Sequence, residues 1–137
     1  MTLNVRIIAP TKTIWDDTAE EVILPSTTGQ LGILSGHAPL LTALGTGVMR
    51  VRVDKEWVPI ALIDGFAEVE ADEITVLVSD GEKGETINLE EARTVYQTAK
   101  TNFDQASQTT DRQDKMTAEQ AYKRARARLQ AAGGSAD

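Results

Sequence analysis

The stretch Gly29–Val51, GQLGILSGHAPLLTALGTGVMRV, holds five glycines, one proline, the only histidine of the chain and an apolar run that breaks off at Gly45. It is odd for a loop and odd for a core. Its end gives the first firm reading: in VMRVRV, Met49, Val51 and Val53 alternate with Arg50 and Arg52. A period of two turns the apolar set one way and the arginines the other, as in a half-buried strand. Gly29, Gly32 and Gly36 are read as turn positions, and Pro39 pushes Ala38 toward extended backbone. The segment is then a rigid corner that presents Leu40 and Leu41, either to the core or to a docking partner.

Alternation continues outward. LNVRIIA, EEVILP, WVPIALI, FAEVEA and EITVLV follow at close spacing between Thr2 and about Asn88. EVEADEITVLV reads as a hairpin turning near Ala71 and Asp72, with Glu68 and Glu70 in water. Pro59 has no N–H to give to a ladder and marks an edge or a bulge. Strands without intervening helices predict an antiparallel β-sandwich over residues 1–88.

At Asn88 the period changes. Asn88 with Glu91 has capping-box spacing, and Leu89, Ala92, Tyr96, Ala99, Phe103 and Ala106 then recur at steps of three and four. SQTTDRQD is a polar connection. Thr117 with Gln120 offers a second capping pair, and Ala118, Ala121, Tyr122, Ala125, Leu129 and Ala132 form the candidate buried face of a second helix. The fold class is therefore α+β, an N-terminal sandwich followed over residues 89–137 by a two-helix antiparallel hairpin. Alanine-rich faces bury little area, so the hairpin is weakly held, and GGSAD reads as a frayed tail.

The same boundary divides the charge. Residues 1–88 carry 14 acids and 6 bases, residues 89–137 carry 7 acids and 8 bases. The net charge of −7 argues against general nucleic-acid affinity. Without cysteine there is no disulfide, thiolate metal site or thiol nucleophile. No run approaches membrane-spanning length, so any membrane association goes through a partner rather than by direct insertion. The basic excess gathers in Lys123, Arg124, Arg126 and Arg128, with Glu119 the only acid within AEQAYKRARARLQ. Charge runs are usually solvated faces, but one-sidedness on an acidic protein suits an acidic partner surface.

Sharper chemistry finds little support. Ser35 and His37 form a triad on paper with Asp16, Asp17, Asp64 or Asp80, but SGHAP lacks a nucleophile elbow. His37 is better read as a loop imidazole bonded to its own backbone. One histidine and no calcium-loop spacing leave no metal site, and GQLGILSG lacks the lysine and following helix of a phosphate loop.

LPSTTGQLGILSGHAPLLTALGTGVMRV, WVPIALIDGFAEVEADEITVLVSD and the LEEAR opening of the helices together resemble the epsilon subunit of F-type ATP synthase. TLNVRIIAPTKTIWDDTAEEVILP and EKGETINLEEA are most similar to its chloroplast and cyanobacterial branch. The resemblance implies a central-stalk subunit with no catalysis and no cofactor of its own, peripheral on the cytoplasmic or stromal side of a thylakoid-type membrane. It implies that the sandwich packs on the gamma subunit and rests on the c-ring. Gly29, Gln30 and Leu31 would then face the ring, and His37, Ala38, Pro39, Leu40 and Leu41 the gamma subunit. It also implies helices that fold against the sandwich or extend into the catalytic head to inhibit ATP hydrolysis. There Lys123, Arg124, Arg126 and Arg128 would meet an acidic segment of the catalytic beta (and alpha) subunits. One continuous helix from Leu89 to Ala132 would reach roughly 66 Å. The alternative the family offers is nucleotide sensing at an Ile/Leu-Asp-x-x-Arg-Ala motif. Leu89 and Arg93 match it, while Glu90 replaces the aspartate and Thr94 the alanine. The added methylene shifts the carboxylate by more than a hydrogen bond tolerates.

Overall fold

The computed structural model describes residues 1–136. Eight strands, β1 (Leu3–Ala9), β2 (Lys12–Ala19), β3 (Glu21–Ser26), β4 (Gly29–Leu34), β5 (Leu40–Leu44), β6 (Gly47–Val53), β7 (Glu56–Glu70) and β8 (Glu73–Lys83), precede two helices, α1 (Leu89–Ala106) and α2 (Arg112–Ala131). A 3-10 turn at Gly84–Thr86 joins the two parts.

Strands β7 and β8 tie the sandwich together because each serves both layers. The second half of β7 pairs with β5, and β8 continues that layer to β1 and then β2. The first half of β7 pairs with β6, which pairs with β3 and so with β4. The sandwich is antiparallel except for one parallel ladder, Asn4–Ile8 beside Glu73–Leu77. Between the layers lie Val5, Ile7, Leu24, Ile33, Met49, Val51, Ile60, Leu62, Val69 and Val76, all 0–1% exposed. Apart from Met49 these side chains are all branched aliphatics.

WVPIALI and FAEVEA are therefore one bent strand, not two. The bend falls at Asp64 (φ 39) and Gly65, where β7 passes from one layer to the other. A Cβ on Gly65 would lie 2.0 Å from the Leu77 carbonyl oxygen. Pro59 sits where a missing N–H does least harm: β6 pairs with it on one side, and the β8 ladder begins only at Ile60. The turn at Ala71 and Asp72 is as expected, with both residues in the left-handed region (φ 51 and 63) that a two-residue hairpin turn requires.

In α1, Asn88 Oδ1 accepts from the Glu91 N–H at 2.9 Å, the expected cap. In α2 the cap is Asp111 rather than Thr117, with Oδ1 accepting from the Gln113 and Asp114 N–H groups at 2.9 and 3.2 Å. An aspartate cap reinforced by the helix dipole starts the helix earlier. The buried face of α2 also differs. Ala121 is exposed, whereas Ala127 and Ala131 are buried with Ala125 and Leu129, because α2 packs on α1 with one face and on β6 and β7 with another. Beyond Ala132 the Gly134 N–H bonds to the Leu129 carbonyl and the Gly133 N–H to that of Gln130. This is a Schellman stop rather than a frayed end; Asp137 lies outside the described residues. The hairpin also gains an aromatic stack, Tyr122 lying 4.9 Å from Phe103 and 5.8 Å from Tyr96 between ring centroids.

Replacing Gly65 by alanine should cost about 2 kcal/mol or more, because the added methyl meets backbone on β8 that cannot turn aside. Urea unfolding of the isolated chain checks this, and an unchanged midpoint would mean that the strand crossing is not the tight contact described.

Candidate functional site

The corner quoted at the outset is built from strands. Gly29 (φ 130) turns β3 into β4, while Gly32 sits within β4 opposite Ile23 and makes no turn. Gly29 and Gln30 are exposed and Leu31 is half-buried against the core. At the other end of β4, Gly36 (φ 88) begins the turn that carries His37, Ala38 and Pro39 into β5. The two groups are thus separated by the length of β4, roughly 20 Å at about 3.4 Å per residue. Leu40 and Leu41 part company: Leu40 packs on the core and Leu41 is 67% exposed.

The turn is clamped by a residue that sequence reading assigned only to a hairpin. Asp72 Oδ1 accepts from the Gly36 N–H at 2.7 Å and Oδ2 from the Ser35 hydroxyl at 2.9 Å. The Gly36 and Ser35 bonds hold the Asp72 carboxyl below its ordinary pKa. The Ser35 hydroxyl therefore serves Asp72 and not His37. His37 Nδ1 lies 2.6 Å from the Ala38 carbonyl, to which it donates. Among the described residues no group of three or more His, Asp or Glu side chains is placed to hold a metal ion.

One outer face of the sandwich is covered by the helices, and the other is left bare by the described residues. On the covered face Val48 of β6 pairs with Ala61 of β7, and both pack with Ala92, Tyr96, Ala125 and Leu129. On the bare face the registers align Ala43, Phe66, Leu77 and Ile8 in one row across β5, β7, β8 and β1. Phe66 is 46% and Leu77 37% exposed, with Leu41 standing two residues along β5 from the row. Sequence reading missed this row because each strand contributes a single outward apolar residue. Only the pairing brings them together.

At the start of α1, Leu89 packs against the hairpin core, while Glu90 and Arg93 stand at exposed positions. Thr94 Oγ1 donates to the Glu90 carbonyl at 3.1 Å within the helix.

The basic residues of α2 do not form one free face. Arg124 Nη2 donates to Asp80 Oδ2 at 2.9 Å, and Arg128 Nε donates to Glu82 Oε1 at 2.7 Å with Nη2 3.4 Å from Oε2. Lys123 pairs within its helix with Glu119 at 3.1 Å, and Arg126 is exposed. The sequence placed these cations correctly on α2 but could not show acids of β8 opposite two of them. Partial burial acts to raise the Asp80 pKa, but the Gly81 N–H bond and the charges of Lys12 and Arg124 outweigh it, and the pKa is lowered. Such a group contributes stability that is fully present above its unfolded pKa and is lost as pH falls through the folded value.

The sandwich thus has a bare apolar face on one side and a charge-latched helical hairpin on the other. Two family models cover nearly all of it: the ATP synthase delta/epsilon chain β-sandwich domain matches residues 2–84 and the long α-helix domain of the same chain matches residues 85–133. The chain belongs to the ATP synthase delta/epsilon chain family, and is a subunit rather than an enzyme. It is 67% identical to the ATP synthase epsilon chain of Nostoc sp. over 138 residues, spanning 99% of this chain and 100% of that relative. It is 64% identical to the ATP synthase epsilon chain of Thermosynechococcus vestitus, spanning 98% and 97%. Its fold is similar to a chain in a cryo-EM structure of the Euglena gracilis mitochondrial ATP synthase, OSCP/F1/c-ring, with TM-score 0.78 and 19% identity over 96% of this chain and 81% of that one. It is also similar to one in the central stalk/c-ring structure of the Tetrahymena thermophila mitochondrial ATP synthase, with TM-score 0.62 and 14% identity over 96% of each.

The Asp72 clamp makes the Gly36 amide a reporter. Its proton shift, followed by NMR through acid pH, should titrate with a midpoint below the ordinary 3.8 of an aspartate. Asp72→Asn should abolish the titration. A midpoint at or above 3.8 would contradict the clamp.

Proposed function

We propose that the chain is the central-stalk subunit that couples the gamma subunit to the c-ring of a proton-translocating ATP synthase and restrains ATP hydrolysis through its helices. In this reading residues 1–88 are the docking domain and residues 89–137 the regulatory hairpin. The observation that carries it is the asymmetry of the sandwich: helices cap one face, and the other offers the Ala43, Phe66, Leu77 and Ile8 row with Leu41 beside it. Contiguous apolar surface of this kind serves association. We assign this face, with His37, Ala38, Pro39, Leu40 and Leu41 at its edge, to the gamma subunit. Gly29, Gln30 and Leu31, at the far end of β4, are assigned to the c-ring. The rows run across hydrogen-bonded strands, which suits a part that must carry torque without yielding.

Among the described residues no helix is long and apolar enough to cross a membrane. Contact with the energy-transducing membrane, of thylakoid type by the cyanobacterial relatives, is therefore assigned to the ring, on the side where the catalytic head stands. The helical brake places the cations of α2 against an acidic surface of the catalytic beta and alpha subunits. Nucleotide sensing at Leu89, Glu90 and Arg93 is the weaker reading. Glu90 and Arg93 stand at exposed positions, and the motif lacks its aspartate.

Phe66→Glu combined with Leu41→Glu should leave the isolated chain within about 0.5 kcal/mol of its original stability, since both sites are exposed. The variant should fail to co-elute with the gamma subunit, and normal co-elution would reject the assigned face. Alanine at Lys123, Arg124, Arg126 and Arg128 together should raise hydrolysis by the reconstituted complex while leaving assembly intact. An unchanged rate, with the helices folded and the subunit bound, would reject the electrostatic brake.

A further inference from the structure

Strand β8 and helix α2 are matched in spacing. Outward residues of a strand recur every two residues, about 6.8 Å, and residues on one helix face every four, about 6.0 Å. Asp80 and Glu82 are two apart on β8, Arg124 and Arg128 four apart on α2, and each acid holds one arginine. The same line continues to Gly84, where a Cβ would lie 2.0 Å from the Ala131 carbonyl oxygen. The helix backbone therefore seats directly on the strand end. Arg128 is 20% exposed in its side chain and Glu82 28%, and the two contacts from the guanidinium to the carboxylate fix the orientation as well as the charge. Asp80 also pairs with Lys12 at 3.4 Å, so it is a shared acid rather than a private partner of Arg124.

We propose that Asp80 and Glu82 act as a decoy. In the docked hairpin they occupy Arg124 and Arg128, and these two ion pairs must break before the same guanidiniums reach an acidic surface on a partner. Docking and braking then compete for one pair of cations, and the docked state is kept from inhibiting by its own sandwich. The inference rests on the electrostatic brake proposed above and assigns its internal competitor. Lys123 and Arg126 stay outside the competition, one paired within α2 and the other exposed, and are the cations left to make a first contact with the partner.

The test uses the full chain carrying Asp80→Asn and Glu82→Gln, with two readouts. In the isolated chain, amide exchange in α2 should be roughly threefold to tenfold faster, the scale expected for two partly exposed pairs. In the reconstituted complex, hydrolysis should fall below that of the unaltered protein because the released arginines are free to brake. Gly84→Ala, which unseats the helix without touching a charge, should move both readouts in the same direction. Unchanged α2 exchange in the neutralised variant would overturn the decoy. Faster exchange without lower hydrolysis overturns the competition but leaves the brake standing, provided the four-alanine variant still raises hydrolysis. If that variant leaves hydrolysis unchanged, the brake itself fails and the competition falls with it.

Discussion

The arrangement of the molecule turns on strand β8, which is bound on every side. Its inward residues Ile74, Val76 and Val78 fill the core, its edges pair with β1 and β7, and the outward acids of its last residues hold α2. Because β8 passes through both layers with β7, a load applied to one layer is transmitted to the other through backbone hydrogen bonds rather than through loops. The hairpin is attached by a different kind of force. Its contact with the sandwich is made of alanines, Tyr96, Leu129, a glycine seat and two partly exposed ion pairs. Aliphatic burial is worth about 25 cal/mol per Å² and a surface ion pair at most about 1 kcal/mol. The hairpin is therefore the more weakly attached of the two parts, as the proposed brake requires.

The two outer faces of the sandwich divide the work. Small residues, Val48 and Ala61, let α2 approach one of them closely. On the other, Phe66 and Leu77 stand out from the strands and no part of the described chain covers their row. The hairpin lies on the face where packing is shallow. The large exposed apolar side chains stand on the other face, to which the proposed function assigns the gamma subunit. The Asp72 clamp fits the same division, since it stiffens the turn beside the bare face at no cost in buried charge.

Much of this was legible in the sequence, and the parts that were not share a cause. Alternation revealed the strands whose two faces differ, such as Gly47–Val53, and the change of period at Asn88 revealed the helices. Strands β2, β4 and β5 escaped because their outward positions break the pattern: Asp16 and Asp17 follow Trp15, glycines interrupt β4, and Leu41 points away from the core. Asp64 and Gly65 read as a break between strands, whereas the pairing requires one strand that crosses layers. The cations of α2 were visible as a cluster, but Asp80 and Glu82 lie more than forty positions away. The apolar row was invisible for the same reason, since its four members come from four strands. Local periodicity shows which face a residue takes and says nothing about which distant residues share that face.

The central claim is that the hairpin rests on β8 in the free subunit and leaves it to act. The chain has no cysteine, so spin labels can be placed at will; Ser79 on β8 and Ala121 on α2 are both exposed. Electron–electron double resonance between labels at these positions should give one short, narrow distance in the isolated chain. It should lengthen in a complex held in the inhibited state. A broad distribution in the isolated chain, or the same distance in both states, would contradict the account.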